Sequence, residues 1–445
     1  MMWEQFIAEF QALMLSSSAQ GFDALAVAFP IIVLLELPFY VLVIIGMLRF
    51  GLRRWKRRAP SSYYPSVSCL VTCYSEGEDV RKTISTLVNQ RYAGHIQIIP
   101  IIDGAIKNHL TLQAAHSEAQ RWRDQPFREV MVLPKWQRGG RVSSLNAALP
   151  FATGEVLMAL DGDTSFDNDM VEKATRHFED PQVAGVAGNL RVRNQNKSLV
   201  AKMQGLEYVL SISGGKTGLS EFNVVNNISG AFGVFRASIV RLVGGWDAGS
   251  AEDLDLTLRI KQYFGRHAGM KIKFEPHAVG HTDAPDTWRV FAKQRERWDG
   301  DMFYIFIRKF RFNLRPSLLG WPNFLFTLVN GILMQLILPF LIVIALIAAL
   351  VMQPLVVVLA KLAVLYSFYL FVLGIFYIVY LAAVSERVWF DCKYLPYLPL
   401  FPIFASLLRI YSAYCILVEI FTKSHLDSSM APTWVLKKTS SECQS

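Results

Sequence analysis

Charged residues are scarce in this chain. Asp, Glu, Lys and Arg make up 18% of the 445 residues and hydrophobic residues make up 52%, whereas an average soluble domain is about 25% charged. There are five cysteines. Two of them, Cys69 and Cys73, belong to one predicted strand, so the five cysteines do not form a disulfide framework. Together with a mean hydropathy of +0.29, these shortages exclude a soluble secreted protein and argue against a wholly soluble or disordered chain.

The charge that is present is basic. Lys and Arg number 45 against 36 Asp and Glu, which gives a net charge of +9. Such an excess suits an anionic membrane leaflet, a nucleotide substrate or nucleic acid. Five of the basic residues lie close together: Arg53, Arg54, Lys56, Arg57 and Arg58. This basic run predicts an anchor to an anionic leaflet, with a nucleic-acid-binding arm as the weaker alternative.

An apolar run directly precedes the basic one. Ala24 to Leu48 contains a single charged residue, Glu36, and is long enough to cross a hydrocarbon core of roughly 30 Å. The run is too long, and begins too late, for a cleaved signal peptide. By the positive-inside rule, Met1 then lies outside the membrane and the chain after the run is cytoplasmic.

Three more apolar runs lie near the C-terminus. Phe324–Val351 and Pro354–Val384 predict two membrane spans. Tyr394–Phe421 holds three prolines and the charged residues Arg409 and Glu419. It is therefore either a third span or an interfacial or bundle-buried segment.

The segments that flank these runs carry basic and aromatic residues. Phe303–Arg315 predicts an amphipathic helix that lies in the membrane interface. The tail Thr422–Ser445 favours a cytoplasmic position because of Trp434, Lys437 and Lys438. A cytoplasmic tail requires that the third C-terminal run does not cross the membrane fully.

From Ser61 to about Pro316 the composition is that of a globular domain. Four short apolar runs predict buried strands: Val67–Thr72, Ile96–Ile102, Glu129–Leu133 and Glu155–Leu160. Three stretches between them predict helices: Val80–Gln90, His109–Arg123 and Arg141–Leu149. The alternation predicts an α/β fold with a parallel sheet and right-handed crossovers, in which ligands bind at the carboxyl ends of the strands.

The residues at these strand ends are acidic. Strand one runs into Tyr74 and Glu76, strand two into Asp103, and strand four into Asp161 and Asp163. Carboxylates that converge repel one another unless a cation or a donor group is present. Two aspartates separated by one glycine can hold one hard cation, which commonly bridges substrate phosphates. The competing interpretation of this pair is a structural turn.

Two more clusters follow in the chain. Glu252 and Asp253 are either site carboxylates or the first turn of a helix, where acidic residues are favourable. Gln294, Arg297 and Trp298 precede the C-terminal apolar runs, where basic and aromatic residues also anchor interfacial helices.

The order D-x-D, E-D and Q-x-x-R-W, flanked by apolar runs, resembles the family 2 processive glycosyltransferases. These are the membrane synthases of cellulose, hyaluronan and poly-N-acetylglucosamine. The resemblance covers roughly Ser66 to Trp298 and includes shorter matches: Asn189 to Asn194, Gln204 with Glu207 and Tyr208, Ser229 to Gly233, and Gly244 to Trp246. It implies a GT-A-type nucleotide-sugar-binding domain with a mostly parallel sheet, joined to an α-helical transmembrane region.

The resemblance also implies the role of each site residue. The nucleotide sugar would be bound by Tyr74, Glu76, Asp103, Arg141 and Asp161. Asp161 and Asp163 would hold the diphosphate through Mg²⁺ or Mn²⁺, and Asp253 would be the general base. The diphosphate would be covered and the acceptor sugar stacked by Gln294, Arg297 and Trp298. The acceptor groove would be lined by Ser229, Gly230 and Glu252.

The chain departs from the family pattern in two places. The family usually has two aspartates after strand two, and here Asp103 is followed by Gly104. The family more often has a lysine where this chain has Arg141. A nucleotide base other than uracil therefore stays open.

Two other pairs of residues invite a metal or redox interpretation. Cys69 and Cys73 would share one face of a strand and pack as small apolar residues. His277 and His281 have the spacing of a metal pair, but no helix is evident there and no acid completes a zinc site. We therefore expect the cysteines to be structural and the histidines to be structural or groove residues.

The predicted function is a membrane-bound inverting glycosyltransferase that polymerises a nucleotide-activated sugar, UDP-N-acetylglucosamine or a related UDP-hexose, into an exported polysaccharide such as that of a biofilm. The alternatives are a non-processive transferase that places one sugar on a lipid carrier, and a transporter or channel whose soluble domain only binds nucleotide. The predicted partners are the donor, the growing glycan and membrane lipid, with an accessory export or regulatory subunit also open and no nucleic acid.

The predicted organisation has five parts, all in or beside the inner membrane. Residues 1–60 form a span with its basic anchor, 61–285 a cytoplasmic catalytic domain, 286–322 interfacial helices, 323–421 a transmembrane channel region, and 422–445 a tail.

Overall fold

The computed structural model describes residues 2–19, 31–55, 62–247 and 251–426. Nine strands in these residues form one sheet. They are β1 (Val67–Cys73), β2 (Ile96–Asp103), β3 (Arg128–Val130), β4 (Leu133–Lys135), β5 (Val156–Asp161), β6 (Ser165–Phe166), β7 (Val183–Val192), β8 (Phe232–Arg236) and β9 (Lys271–Thr282). Their order in the sheet is β3-β2-β1-β5-β8-β7-β9-β6, and β4 also pairs with β2.

The two halves of the sheet differ in strand direction. Strands β1 to β5 pair with one another in parallel direction, as the strand–helix alternation predicts. Strand β8 then runs antiparallel to both β5 and β7, β7 is parallel to β9, and β6 is antiparallel to β9. The prediction of a mostly parallel sheet therefore holds for the first half, and the sheet as a whole is mixed.

One predicted strand is wrong as a single unit. Glu129–Leu133 is replaced by the separate strands β3 and β4, which pair with Ile98 and with Ile101 of β2 respectively. Pro100 lies between these two pairing points. Backbone groups two residues apart face the same edge of a strand, so Pro100, which has no N–H, interrupts the ladder that Ile98 begins on this edge.

Helices cover both faces of the sheet. In the first part of the chain they are α1 (Met2–Ala19), α2 (Leu37–Trp55), α3 (Asp79–Val88), α4 (His109–Arg121), α5 (Gly140–Ala148), α6 (Met170–Thr175), α7 (Leu199–Glu207), α8 (Thr217–Ser220), α9 (Ala237–Leu242) and α10 (Glu252–Lys261). A π-helical stretch, Tyr208–Lys216, joins α7 to α8. The three helices predicted from the sequence agree with α3, α4 and α5 to within two residues at each end.

The remaining helices belong mostly to the membrane region. They are α11 (Trp288–Phe303), α12 (Pro316–Leu319), α13 (Trp321–Phe326), α14 (Leu338–Met352), α15 (Leu355–Ala383), α16 (Val388–Asp391) and α17 (Phe401–Thr422). π-helical turns at Ile32–Glu36, Tyr304–Lys309 and Thr327–Ile337 extend α2, α11 and α13. Short 3-10 turns occur at Leu149–Phe151, Arg176–Glu179, Cys392–Leu400 and Ser424–Leu426.

Four of the described helical segments are long and apolar enough to cross a membrane. They are Ile32–Trp55, Trp321–Met352, Leu355–Ala383 and Val388–Thr422. The two predicted C-terminal spans coincide with the second and third of them, and Tyr394–Phe421 lies within the fourth. Of the predicted first span, residues 24–30 lie outside the described residues, as do Lys56, Arg57 and Arg58 of the basic run and the tail beyond Leu426.

The predicted amphipathic helix over Phe303–Arg315 is wrong in extent. The helix ends at Lys309, and the chain then turns towards the extended residue Arg315. Arg315 precedes Pro316, and a proline disfavours helical backbone in the residue before it. The apolar side chains of this segment, among them Phe306 and Phe310, are buried against Leu336 of the membrane region.

Three further apolar clusters hold these layers together. Alternate residues of the strands point to opposite faces of the sheet, so that Val71 and Leu160 pack on one face and Leu70 and Leu157 on the other. A third cluster joins α2, α7, α15 and α17 and includes Met47, Leu206 and Phe376. The sheet region and the membrane helices are thus packed against each other through α7.

Candidate active site

The ends of β1 and β5 form the base of the site. Thr72 is in register with Asp161, and the backbone N–H of Gly162 donates to the carbonyl of Thr72 at 3.0 Å. A Cβ at Gly162 would lie 2.9 Å from the sulfur of Cys73 and 3.2 Å from the carboxyl carbon of Glu76. The glycine between Asp161 and Asp163 therefore allows the two strand ends and Glu76 to approach closely.

Arg141 joins three of the predicted motifs. It is the second residue of α5, and its Nη1 donates to Thr72 Oγ1 at 2.7 Å and to Asp161 Oδ1. Its Nη2 donates to the carbonyl of Gly230, and its Nε lies 2.7 Å from Glu252 Oε1. Burial acts to lower the pKa of Arg141, but Asp161 and Glu252 outweigh it and the pKa is raised. The guanidinium is therefore a permanent cation among these motifs.

Glu252 and Asp253 open helix α10, so the helix-start interpretation is correct. Both also face the site. Burial raises the pKa of Glu252 to about 8, while Arg141 opposes this rise and Asp253 adds to it. A Cβ at Gly230 would lie 2.8 Å from Glu252 Oε1, so the predicted acceptor groove residue Gly230 packs directly on Glu252.

Asp253 is held by three donors. Its Oδ2 accepts from Asn227 Nδ2 at 2.9 Å and from the backbone N–H of Gly230 at 3.2 Å. Its Oδ1 accepts from the backbone N–H of Leu254 at 2.6 Å. Lys216 in turn donates to Asn227. The sequence interpretation missed Asn227 and Lys216, although Asn227 lies only two residues before Ser229 of the predicted groove.

The acidic side of the site consists of Glu76, Asp161 and Asp163. Burial, followed by the charge of Asp161, raises the pKa of Asp163. Burial also raises the pKa of Glu76 to about 7, against hydrogen bonds from backbone N–H groups, and Asp163 and Asp161 raise it further. Among the described residues, Oε2 of Glu76 is buried without a hydrogen-bond partner.

These carboxylates fit a divalent cation that is bound together with a substrate. In the parts of the chain that the structure describes, no group of three His, Cys, Asp or Glu residues forms a ready-made metal site. Mg²⁺ is, however, commonly bound through one or two carboxylates plus substrate phosphates. Mutually repelling acids such as Asp161 and Asp163 meet that requirement.

Asp103 binds the loop that leads into α5. It is buried, and its Oδ1 accepts from Lys135 Nζ at 2.7 Å and from the N–H of Gly139 at 2.9 Å. Its Oδ2 accepts from the N–H of Gly140 at 2.8 Å. Asp103 thus positions the start of α5, and with it Arg141, at the strand ends.

Tyr74 lies at the rim of the same edge. Its side chain is exposed, and the guanidinium carbon of Arg138 lies 4.4 Å from the centre of its ring. An exposed aromatic ring with a neighbouring arginine can stack on the base of a nucleotide.

Gln294, Arg297 and Trp298 are half-buried residues of α11. The sequence interpretation missed Arg295, which forms a two-pronged ion pair with Glu207 at 2.8 and 2.5 Å. The guanidinium carbon of Arg295 lies 4.7 Å from the ring centre of Trp298. One face of the tryptophan is therefore contacted by a half-buried ion pair.

Tyr208 lies between the two parts of the site. Burial raises its pKa to about 12, Arg295 lowers it, and Glu207 and then Asp161 raise it. The phenol is therefore within electrostatic range of both α11 and the strand ends.

The cysteine pair lies in β1 and the histidine pair lies in β9. Cys69 and Cys73 are buried, and burial raises the pKa of Cys69 to about 12. His277 lies in β9 near Glu275 and Glu386. His281 contacts Asp167 at 3.0 Å.

A mixed sheet with carboxylates at its strand ends, joined to apolar helices, defines a GT-A-like glycosyltransferase with a membrane region. The family described as glycosyl transferase family group 2 matches residues 156–386. Because this match covers more than half of the chain, the chain belongs to that family and is a glycosyltransferase.

Several curated relatives are similar to the chain. A poly-beta-1,6-N-acetyl-D-glucosamine synthase of Staphylococcus epidermidis is 30% identical over 268 residues, which is 60% of this chain and 61% of that protein. A protein of the same description from Staphylococcus aureus (strain COL) is 30% identical over 245 residues, 55% of this chain and 56% of that protein. The chain thus spans less than two thirds of the length of these relatives.

A solved structure shares the fold. The mannosyltransferase PcManGT of Pyrobaculum calidifontis, in complex with GDP-Man and Mn²⁺, superposes with a TM-score of 0.52 at 17% sequence identity. The match covers 86% of this chain and 99% of that chain.

Proposed function

We propose that this protein is an inverting membrane glycosyltransferase that polymerises UDP-N-acetylglucosamine, or a related UDP-hexose, into an exported polysaccharide. One observation carries the proposal. Gly230 accepts a hydrogen bond from Arg141, the partner of Asp161, and donates one to Asp253. Asp161, the carboxylate predicted to hold the donor diphosphate, is therefore connected to the predicted base, Asp253. The connection passes through Arg141 and through Gly230 of the predicted acceptor groove.

The chemistry follows from this placement. The acceptor hydroxyl oxygen forms a bond to the anomeric carbon while the bond from that carbon to the diphosphate breaks, and Asp253 takes the hydroxyl proton. A single displacement of this kind inverts the anomeric configuration. Arg141 holds Asp161 in place, and its permanent charge faces the developing negative charge of the leaving group.

A divalent cation, Mg²⁺ or Mn²⁺, held by Asp161 and Asp163, offsets the charge of the diphosphate when it is bound. The repulsion between these acids and the unpartnered buried oxygen of Glu76 support this assignment.

The remaining predicted residues divide between donor and acceptor. We propose that Tyr74, Glu76 and Asp103 form the nucleotide side, with Asp103 acting through the loop that it holds. Gln294 and Arg297 would cover the diphosphate, and Trp298 would offer its ring face to a sugar. Ser229, Gly230 and Glu252 would line the groove between them.

The choice of sugar is supported by the similarity to the staphylococcal poly-beta-1,6-N-acetyl-D-glucosamine synthases. The membrane part of the proposal rests on the four candidate spans. We propose that residues 61–285 form the catalytic domain on the cytoplasmic side of the inner membrane, since basic residues follow the first span. Residues 286–322 would form interfacial helices, and residues 323–421 would form the path of the glycan. The tail of residues 422–445 and any accessory subunit would lie at the same membrane.

The test uses membranes that contain the full chain. UDP release and product length are measured over a set of nucleotide sugars with Mg²⁺, with Mn²⁺ and with a chelator, for the unchanged protein, Asp253→Asn and the exposed control Asp124→Asn. We expect long products from UDP-N-acetylglucosamine, which Asp253→Asn and the chelator abolish and Asp124→Asn does not.

Other outcomes would change the proposal. Turnover with a different donor only would replace the sugar. One sugar per lipid-linked acceptor at saturating donor would support the non-processive alternative. Full activity of Asp253→Asn would remove the base assignment.

A further inference from the structure

A buried lysine lies behind the proposed base. Lys216 is 5% exposed and is the last residue of the π-helical stretch after α7. Its Nζ donates to the backbone carbonyl of Asn227 and to Asn227 Oδ1, both at 2.9 Å. Lysine is almost never fully buried without a partner, so its charge at this position needs an explanation.

The lysine determines which way the side-chain amide of Asn227 faces. An ammonium group only donates hydrogen bonds, and an asparagine side chain has one accepting oxygen and one donating NH₂ group. Lys216 must therefore face the amide oxygen, and the NH₂ group must face the other way. On that side Nδ2 lies 2.9 Å from Asp253 Oδ2, where it donates.

The carboxylate of Asp253 is in turn held in one orientation. A carboxylate offers about four lone-pair positions, and among the described residues Asn227 and the N–H of Gly230 occupy two of them on Oδ2. The N–H of Leu254 occupies one on Oδ1. Of the roughly four lone-pair positions, one on Oδ1 is therefore left to accept the proton of a substrate hydroxyl.

We propose that Lys216 and Asn227 are positioning residues that orient the carboxylate of Asp253 for proton transfer. This inference rests on the proposed function, because it assumes that Asp253 is the base. Lys216 acts through the amide of Asn227 and does not touch the acceptor.

Other charged groups also face Asp253 and Lys216. Arg141 of α5 is a second cation near Asp253, and Glu252 of α10, whose pKa burial raises to about 8, opposes it when ionised. Lys261, at the end of α10, faces Lys216 with a like charge. Substitution of Lys216 leaves Arg141 and Glu252 in place, so its effect can be separated from theirs.

The test measures turnover and donor KM from acid to alkaline pH for Lys216→Met and Asn227→Asp in membranes with the full chain. Asn226→Asp is the matched control for the second variant, because Asn226 is the exposed neighbour of Asn227. Lys273→Met is the control for the first variant, because Lys273 is a half-buried lysine whose Nζ faces Ser220. UDP binding shows that each variant retains a folded donor site.

We expect kcat near neutral pH to fall about tenfold in both variants, as for loss of one charged hydrogen bond, while donor KM stays within about twofold. The acid limb of the pH–rate profile should move to higher pH, because one variant removes a cation and the other adds an anion next to the proposed base. In Asn227→Asp, activity should recover partly at alkaline pH. Both controls should keep the profile of the unchanged protein.

The inference is overturned if both variants keep the acid limb and kcat of the unchanged protein. It is equally overturned if activity falls by the same factor at every pH together with UDP affinity, since that pattern marks a structural role. If Lys216→Met does not fold, the comparison of Asn227→Asp with its control Asn226→Asp tests the inference by itself. Full activity of Asp253→Asn would instead refute the proposed function. That outcome is distinguishable from failure of the present inference, because it concerns the base itself and not the residues that orient it.

Discussion

The strand-end region and the membrane junction of this enzyme are held together in different ways. At the strand ends, backbone ladders between β1, β2 and β5 position the carboxylates. At the junction, buried ion pairs between side chains connect the catalytic part to the membrane helices. Backbone ladders tolerate most substitutions, whereas a buried ion pair that loses one partner leaves an uncompensated charge. We therefore expect substitutions at the junction to affect mainly stability. Substitutions at the strand ends should affect mainly catalysis.

The ion pair of Arg191 and Asp391 shows the junction most clearly. Arg191 is the last but one residue of β7, and its two terminal nitrogens lie 2.7 and 3.1 Å from the carboxylate of Asp391 in the membrane region. The hydroxyl groups of Tyr380 and Ser385 also donate to that carboxylate, at 2.9 and 2.6 Å. This network fastens the sheet to the end of α15.

The largest effect should come from breaking this pair. Arg191→Met leaves Asp391 buried without its cation and should lower the free energy of unfolding by about 3–5 kcal/mol. The control is Lys271→Met, because Lys271 and Asp180 form a more exposed pair that should be worth less than about 1 kcal/mol. Thermal unfolding in detergent measures the stability of both variants. An equal loss of stability in the two would contradict the expected difference between the buried and the exposed ion pair.

Changes at the strand ends should leave the fold and remove activity. Asp161→Asn takes away a proposed cation ligand and the partner of Arg141, so we expect UDP release to fall more than about 100-fold with little change in thermal unfolding. Arg141→Lys keeps the charge but loses the planar contact to several acceptors, and about a tenfold loss is expected. A large fall in the unfolding temperature of Asp161→Asn would refute this separation of roles.

The pair of Glu207 and Arg295 tests where the two regions meet. Glu207→Gln weakens the ion pair that supports Arg295 against Trp298, so we expect shorter products and about tenfold lower polymer yield at an unchanged donor KM. Glu296→Gln in the same helix is the control. Raised donor KM with normal product length would mean that this pair supports the donor side instead.

The smallest effect concerns pH and Lys261, which lies at the junction 6.0 Å from the ring centre of Phe326. Burial, followed by the charge of Lys216, lowers the pKa of Lys261 to about 7. Between that value and the ordinary lysine pKa, the unfolded chain binds more protons than the folded one, so stability should rise with pH. The slope is at most about 1.4 kcal/mol per pH unit. Lys261→Met should flatten it in chemical denaturation series, and an unchanged slope would contradict the assignment.

Much of the fold could be predicted because its signals are local. Strands such as Val67–Cys73 are short apolar runs followed by acidic residues, and the spans are long apolar runs. The reversal of β8 and the division of the third strand could not be predicted in this way. The first depends on which strands become neighbours, and the second on the alignment of Pro100 with an edge of β2.

The candidate site divides in the same manner. Asp161, Asp253 and Trp298 stand in motifs whose order is visible in the sequence. Lys216 and Asn227 carry no such pattern, because a buried lysine next to glycines looks like the end of any helix.

The order of residues alone indicates which side chains could carry charge at strand ends, which segments could cross a membrane, and to which family the chain is similar. The partners of those charges become visible only once the chain has folded. Glu207 and Arg295 are 88 residues apart, and Arg191 and Asp391 are 200 residues apart. Periodicity reports on neighbours within a helix or strand, whereas a contact at such separation exists only after the elements have packed. The orientation of Asp253 belongs to this second kind of information.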